Sequence, residues 1–239
     1  MLTTRPLGAH YTNKRFGRTR DRATRRWVTA FRLLAALIPG LLAGATAHAA
    51  FPPDLFGYVQ SEQQDTDLFS QWIQVLERHL LLDLGDGDCN PGAINRCHIN
   101  DWLAFLAGLK GRPLSEQLAA VNRYANHKRY VLDIDNYGVE DYWAVAREFL
   151  NNNGDCEDYA ITKLFSLRWL GLPSEQVRIV VLQDTNLRIP HAVLAVADDD
   201  DILVLDNQIE QVISHRSIVH YSPVYSINEN NWWIHLPHE

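Results

Sequence analysis

Cys156, His191 and Asp206 are the residues of this chain whose types and order can do nucleophilic chemistry. Cys156 stands in the run Asn151-Asn152-Asn153-Gly154-Asp155-Cys156-Glu157-Asp158-Tyr159-Ala160, where a polar, Gly-containing loop delivers it to the start of an apolar helix. A helix N-terminus offers unpaired backbone N–H groups and a partial positive charge, which favour thiolate over thiol and can also hold an oxyanion. A thiol nucleophile needs a base to share its proton and a third polar group to fix the tautomer of that base. His191 opens the strand-like run His191-Ala192-Val193-Leu194-Ala195-Val196, and Asp206 ends the next one, Ile202-Leu203-Val204-Leu205. A hairpin between the two strands brings the His and the Asp side by side. Each residue also has a plain structural reading: a small buried Cys, a satisfied His, a turn Asp. Their order, joined to the cysteine arithmetic below, favours chemistry. The backbone N–H of Cys156 is the first oxyanion donor to consider, and Trp143 is a candidate for the second. The other histidines form no HExxH-type pair, which disfavours a zinc enzyme.

Residues 1–49 contain nine Lys and Arg ahead of an apolar run that starts at Leu33, and they end in Ala47-His48-Ala49. The run is too short to span a bilayer comfortably and contains Pro39-Gly40, so it reads as a cleaved secretory signal rather than a stable membrane anchor. Without this segment 13 Lys and Arg face 28 Asp and Glu, a net charge of about −15. That balance disfavours nucleic acid and anionic lipid as partners and suits a protein that meets divalent cations or basic partners. In an exported chain with three cysteines, one is always left over. Cys89 and Cys97 sit in a Gly, Asn and Pro-rich loop and can close a small disulfide in an oxidising compartment, which leaves Cys156 as the reactive thiol.

The elements needed to position these groups can be read from periodicity. Apolar residues at helical spacing predict a helix over 65–84, a short one capped by Asn100, one opened by Pro113 and Ser115, and another over 140–150. The Asp and Gly alternation at 83–88 lacks the Glu that closes an EF-hand and reads as a turn. The helix starting at Cys156 is apolar nearly all round, which predicts a buried central helix ending at Gly171 with Pro173 just beyond. From there the period changes to two, and strands are expected at 177–182, 191–197, 202–206, 218–227 and 232–236, with Asp198-Asp199-Asp200-Asp201 as a solvated hairpin tip. A helical N-terminal half followed by an antiparallel sheet gives an α+β fold, and residues 50–239 are enough for one domain.

Gly154-Asp155-Cys156-Glu157-Asp158-Tyr159-Ala160, with Asp141-Tyr142-Trp143 upstream and Pro190-His191-Ala192-Val193 and Leu205-Asp206-Asn207 downstream, resembles the LapG-type bacterial transglutaminase-like cysteine proteases. The resemblance implies a papain-like or transglutaminase-like fold, in which the Cys-bearing helix packs on the antiparallel sheet, and a triad of Cys156, His191 and Asp206. It further implies a periplasmic endopeptidase that cuts the N-terminal region of a large surface adhesin next to a pair of alanines and so controls biofilm release. The partner it implies is an inner-membrane cyclic di-GMP receptor of the LapD type. The family also uses calcium (Ca2+), and the residues implicated here are Asp155 and Glu157, with Asp158 adjacent. Carboxylates beside a thiol oppose its ionisation, and a bound cation would reverse the local sign. A purely structural role for Asp155 and Asp158 as the two arms of a capping box stands beside this reading. Two rival functions remain at this stage: a transglutaminase-like acyl transferase using the same triad, and a calcium-binding adaptor whose triad is idle.

Overall fold

The structure is a computed structural model that describes residues 51–81 and 97–238. Two short strands open it, β1 (Asp54–Leu55) and β2 (Tyr58–Gln63), followed by helices α1 (Ser70–Leu80), α2 (Cys97–Leu109), α3 (Leu114–Asn126), α4 (Asp133–Asn136), α5 (Ala146–Asn152) and α6 (Cys156–Trp169). Strands β3 (Val177–Asp184), β4 (Ile189–Asp198), β5 (Asp201–Leu205), β6 (Ile213–Ser214), β7 (Tyr221–Ile227) and β8 (Trp232–Pro237) complete the chain. They form one antiparallel sheet in the order β1-β2-β8-β7-β3-β4-β5-β6. The expected α+β class is therefore observed, with one correction at its start: the N-terminal half is not wholly helical. The segment Tyr58–Gln63 is mostly polar, and it becomes a strand because β8 offers it a six-residue antiparallel partner.

Apolar alternation along the central strands feeds two cores. Ile179, Leu194, Val196 and Leu205 pack with Trp72, Trp102, Phe149, Ile161 and Leu164 of the helices. Val180, Leu182, Val193, Ala195 and Val204, one residue out of phase, join Leu55, Ile218 and Tyr221 in a second cluster. Helix α6 runs through the first core with every residue from Glu157 to Leu167 buried. It stops where the sequence predicts. Gly171 takes φ +101°, its N–H bonds the Arg168 carbonyl and the Leu172 N–H bonds that of Leu167, which is a Schellman ending.

The helix expected over 140–150 is shorter, Ala146–Asn152. The backbone ahead of it is used otherwise: Tyr142 N–H donates to Asp133, Ala144 N–H to Asp158 and Val145 N–H to Glu148. In a helix begun at Glu140 the Ala144 and Val145 amides would bond carbonyls one turn back, so carboxylates have displaced helical hydrogen bonding there. The hairpin tip is as expected, with Asp198 paired to Asp201 and Asp199 in the left-handed region at φ +50°. Cys97 is disulfide-bonded, while its expected partner Cys89, the 83–88 turn and the 1–49 leader lie outside the described residues. Among the described residues no helix is long and apolar enough to cross a membrane.

Candidate active site

The first turn of α6 is fixed by its own carboxylate. Asp158 reaches back to accept from the Asp155 N–H at 3.3 Å, the returning arm of a capping box, while its other oxygen takes the Ala144 N–H at 2.6 Å. Gly154 is required beside it, because a Cβ there would lie 2.0 Å from Asp158 Oδ2. The loop before the helix is tied to the α3–α4 connection: Val131 N–H donates to the Gly154 carbonyl, Tyr159 Oη to that of Lys128, and Asn136 Nδ2 to that of Asn153. Cys156 is thereby held as the first residue of the helix, its thiol free of any disulfide.

The thiol S–H donates to Glu157 Oε2 at 3.2 Å, and the helix it opens packs against β4, the strand of His191 and Ala192. Burial first, then the charge and hydrogen bond of Glu157 and the charge of Asp155, hold the thiol well above its ordinary pKa; the Ala192 amide works the other way. The helix dipole is outweighed. At the residue next to Ala192, His191 Nε2 lies 2.9 Å from Asp206 Oδ1, with both side chains almost fully buried. The pairing follows from register: Leu194 faces Leu205, so one step on Asp206 comes opposite Val193, diagonal to His191. Asp206 Oδ1 also accepts the Gln208 N–H, and Oδ2 accepts the Tyr221 hydroxyl at 2.5 Å. Burial alone would raise the Asp206 carboxyl, but His191, Tyr221 and the Gln208 amide together leave it below the ordinary value. The structure thus pairs the sequence-predicted His191 and Asp206 and packs the strand of His191 against the helix that begins at Cys156. It also adds Tyr221, which only the return of β7 beside β3 could place there.

A second group surrounds the same helix end. Asp133, Asp141 and Glu157 bring carboxylate oxygens within 4.8 Å of one another, and so do Asp133, Asp155 and Asp158. Asp155, Glu157 and Asp158 were legible from the sequence as a group. Asp133 and Asp141 were not read as ligands: they lie outside the Cys156 loop in sequence, and only the pinning of the α3–α4 connection carries Asp133 to it. Trp143 donates its indole N–H to Asp141 Oδ1 at 3.1 Å, so it is committed to the carboxylates and does not serve as a second oxyanion donor.

Burial, followed by the Asp155 charge, raises Glu157 to about 9; burial raises Asp133 to about 6; and both Asp155 and Asp158 are raised, by burial first. Asp133 Oδ1 and Asp155 Oδ1 are buried with no hydrogen-bond partner among the described residues. Crowded carboxylates with orphaned oxygens are costly alone and are the donor set of a hard divalent cation, so the residues fit such an ion. Asp158, with both oxygens on backbone N–H groups, contributes chiefly by fixing the helix end.

The model of the family described as bacterial transglutaminase-like cysteine proteinase matches residues 95–239. Among solved structures the chain is similar to Legionella pneumophila LapG, with 31% identity and a TM-score of 0.54 over 67% of this chain and 87% of that one. A calcium-bound form of that protein matches with the same values, and an EGTA-treated form matches at 31% identity and 0.54 over 67% of this chain and 84% of that one. No curated protein matches. With the family model spanning more than half its length, the chain belongs to the bacterial transglutaminase-like cysteine proteinases and is of the LapG type.

Proposed function

We propose that this protein is a periplasmic, calcium-dependent cysteine endopeptidase that works through Cys156, His191 and Asp206. The observation that carries the proposal is the buried His191–Asp206 pair, with His191 on β4, the strand packed against the helix that begins at Cys156. Because His191 Nε2 is engaged by Asp206, Nδ1 is the nitrogen left to serve the thiol. It takes the Cys156 proton as sulfur attacks the scissile carbonyl carbon, and returns it to the leaving amine as the C–N bond breaks. A water molecule then gives its proton to the same nitrogen and its oxygen to the thioester, which releases the acid and restores the thiol. Asp206 holds the tautomer, Tyr221 and the Gln208 amide hold Asp206, and the Cys156 backbone N–H at the helix start faces the oxyanion.

Calcium, when bound, supplies positive charge to Asp133, Asp141, Asp155 and Glu157, which otherwise repel one another and of which Glu157 and Asp155 help hold the thiol proton. The relation to LapG supports calcium as the ion, since one LapG structure is calcium-bound. The substrate and setting we propose are those the sequence resemblance implies: the N-terminal region of a large surface adhesin, cut near a di-alanine site to control biofilm release, with restraint by an inner-membrane cyclic di-GMP receptor of the LapD type. An adhesin fragment containing a polyalanine stretch, incubated with the calcium-loaded protein, should be cut by wild type and left intact by Cys156→Ala. Covalent incorporation of an added primary amine without cleavage would turn the assignment to acyl transfer, and an unchanged cellular phenotype of Cys156→Ala would overturn the enzyme reading.

A further inference from the structure

Of the grouped carboxylates Asp133, Asp141 and Glu157, Asp141 is exposed and the other two are buried. Burial immobilises a carboxylate, whereas an exposed aspartate keeps its rotamer freedom and must lose it on joining a cation. Asp141 is nonetheless held from two sides. Its Oδ1 accepts the Trp143 indole N–H at 3.1 Å, and its Oδ2 accepts the side-chain amide of Gln71, on α1, at 2.7 Å. The same amide nitrogen, which has two hydrogens to give, also donates to the Asp141 carbonyl at 3.3 Å. One α1 side chain therefore grips both the backbone and the carboxylate of this residue. Seven positions along the same helix face, Arg78 takes the segment that follows: Nη1 donates to Tyr142 Oη and Glu148 Oε2 at 2.5 Å each, and Nη2 to the Trp143 carbonyl at 2.6 Å. The segment held in this way serves the other carboxylates too. Tyr142 N–H donates to Asp133 Oδ2 and Ala144 N–H to Asp158 Oδ1. The seat of α1 does not depend on Gln71, because Trp72 and Val75 are fully buried and the Trp72 indole bonds the Asn228 carbonyl at 2.9 Å.

We propose that Gln71 is a positioning residue for the cation centre, acting through Asp141: it holds the exposed ligand in the rotamer that joins Asp133 and Glu157. The inference rests on the calcium reading above. A carboxylate has about four acceptor sites, so each Asp141 oxygen keeps a lone pair for the ion beyond the bonds it already accepts. An amide suits the task because it orients the carboxylate without cancelling the charge that attracts a cation. A lysine or arginine at this position would compete with the ion. The cationic residue of this helix face, Arg78, is instead paired with Glu148, outside the grouped carboxylates. Helix α1, remote in sequence from the Cys156 turn, thereby supplies part of the outer support of the ion that this turn needs.

The test is calorimetric titration of the chelator-stripped protein with calcium, beside thermal melting in chelator. Gln71→Leu should raise the calcium Kd about tenfold, the lower end of what loss of an outer-shell partner costs, and leave the chelator melting temperature nearly unchanged. In an Asp141→Ala background the same substitution should alter Kd by less than about twofold, because the residue through which it acts is gone. An unchanged Kd in Gln71→Leu, or a tenfold loss that persists without the Asp141 carboxylate, would overturn the proposal. So would a lowered melting temperature with calcium affinity kept, which marks Gln71 as a docking contact of α1 and nothing more. Should Asp141→Ala bind too little calcium to measure, hydrogen exchange of the Trp143 indole N–H in the calcium-free protein decides. Gln71→Leu should speed it by freeing Asp141, and an unaltered rate refutes the linkage. Absence of calcium binding by the unsubstituted protein is a separate result, which would remove the calcium reading and this inference with it.

Discussion

Glu157 is a group whose ionisation the fold visibly resists, and its removal gives a quantitative test. Glu157 is 8% exposed, and burial and the Asp155 charge move its carboxyl from 4.5 to about 9. A folded-state value raised above the unfolded one means that the folded protein holds the proton more tightly. The associated stability is full below about pH 4.5 and is lost as pH rises through about 9. By pH 8 the shift amounts to roughly 5 kcal/mol, against under 1 kcal/mol at pH 5. Relaxation around a buried carboxylate returns part of this, leaving a difference of about 2 kcal/mol as the expected minimum. Glu157→Gln keeps the shape and an acceptor for the Cys156 thiol while removing the charge. In chelator, urea unfolding should show the variant gaining on wild type by about 2 kcal/mol or more between pH 5 and pH 8. His79 and His235, both lowered to about 4 by burial, also titrate across the acidic part of this range, but equally in both proteins, so the difference isolates Glu157. With calcium present the order should reverse, because the variant loses a ligand oxygen. A variant-to-wild-type difference that stays constant with pH in chelator would refute the reasoning.

Three further outcomes follow from the same geometry. In chelator, alkylation of Cys156 should rise only well above the pH of an ordinary thiol, and either calcium or Glu157→Gln should bring the midpoint down by at least one unit; equal midpoints in all three conditions would remove Glu157 as the cause. Gly154→Ala drives a Cβ to 2.0 Å from Asp158 Oδ2 and so breaks its bonds to the Ala144 and Asp155 amides. Two buried donors left unpaired should cost about 2–5 kcal/mol by denaturant titration, and a cost under 1 kcal/mol would show that Asp158 rotates away freely. Asp206→Asn should lower kcat by on the order of 10³–10⁴. Because the folded Asp206 value is depressed, wild type should also lose its stability advantage over this variant as pH falls below about 4, a trend read from acid unfolding curves.

Much of this arrangement was legible in the sequence because it depends on local patterns. The loop before Cys156, the nearly all-apolar helix behind it, its Gly171 ending and the alternation of β3 to β5 each use chemistry confined to a few neighbouring residues. The hairpin that joins His191 to Asp206 is the longest-range relation that period and turn residues could supply. Contacts made by distant segments were not legible. Asp133 reaches the Cys156 loop because Val131 and Asn136 bond the carbonyls of Gly154 and Asn153. Tyr221 reaches Asp206 because β7 skips past β4 to pair with β3. The helix expected over 140–150 illustrates the same limit. Its apolar spacing is helical, yet the amides of Tyr142 and Ala144 bond carboxylates 9 and 14 residues away in sequence, an interaction no local window contains.

The acidic first turn of α6 is where local preference and chemistry conflict. Acidic residues suit a helix N-terminus, where each gains about 0.3–1 kcal/mol from the dipole. The same carboxylates, with burial, hold the adjacent thiol protonated, and the dipole benefit to a thiolate is of the same small size. Left uncompensated, the turn would be a good helix start and a poor nucleophile. Two of its neighbouring carboxylate oxygens, on Asp133 and Asp155, are buried without partners among the described residues, which a design for helix stability alone would avoid. Both costs are relieved by one change, a divalent cation among Asp133, Asp141, Asp155 and Glu157. On the proposed reading, the ion that completes the fold at this end of α6 is therefore also the ion that releases the Cys156 proton. Loop ordering and thiol activation should then respond to calcium with a single apparent affinity.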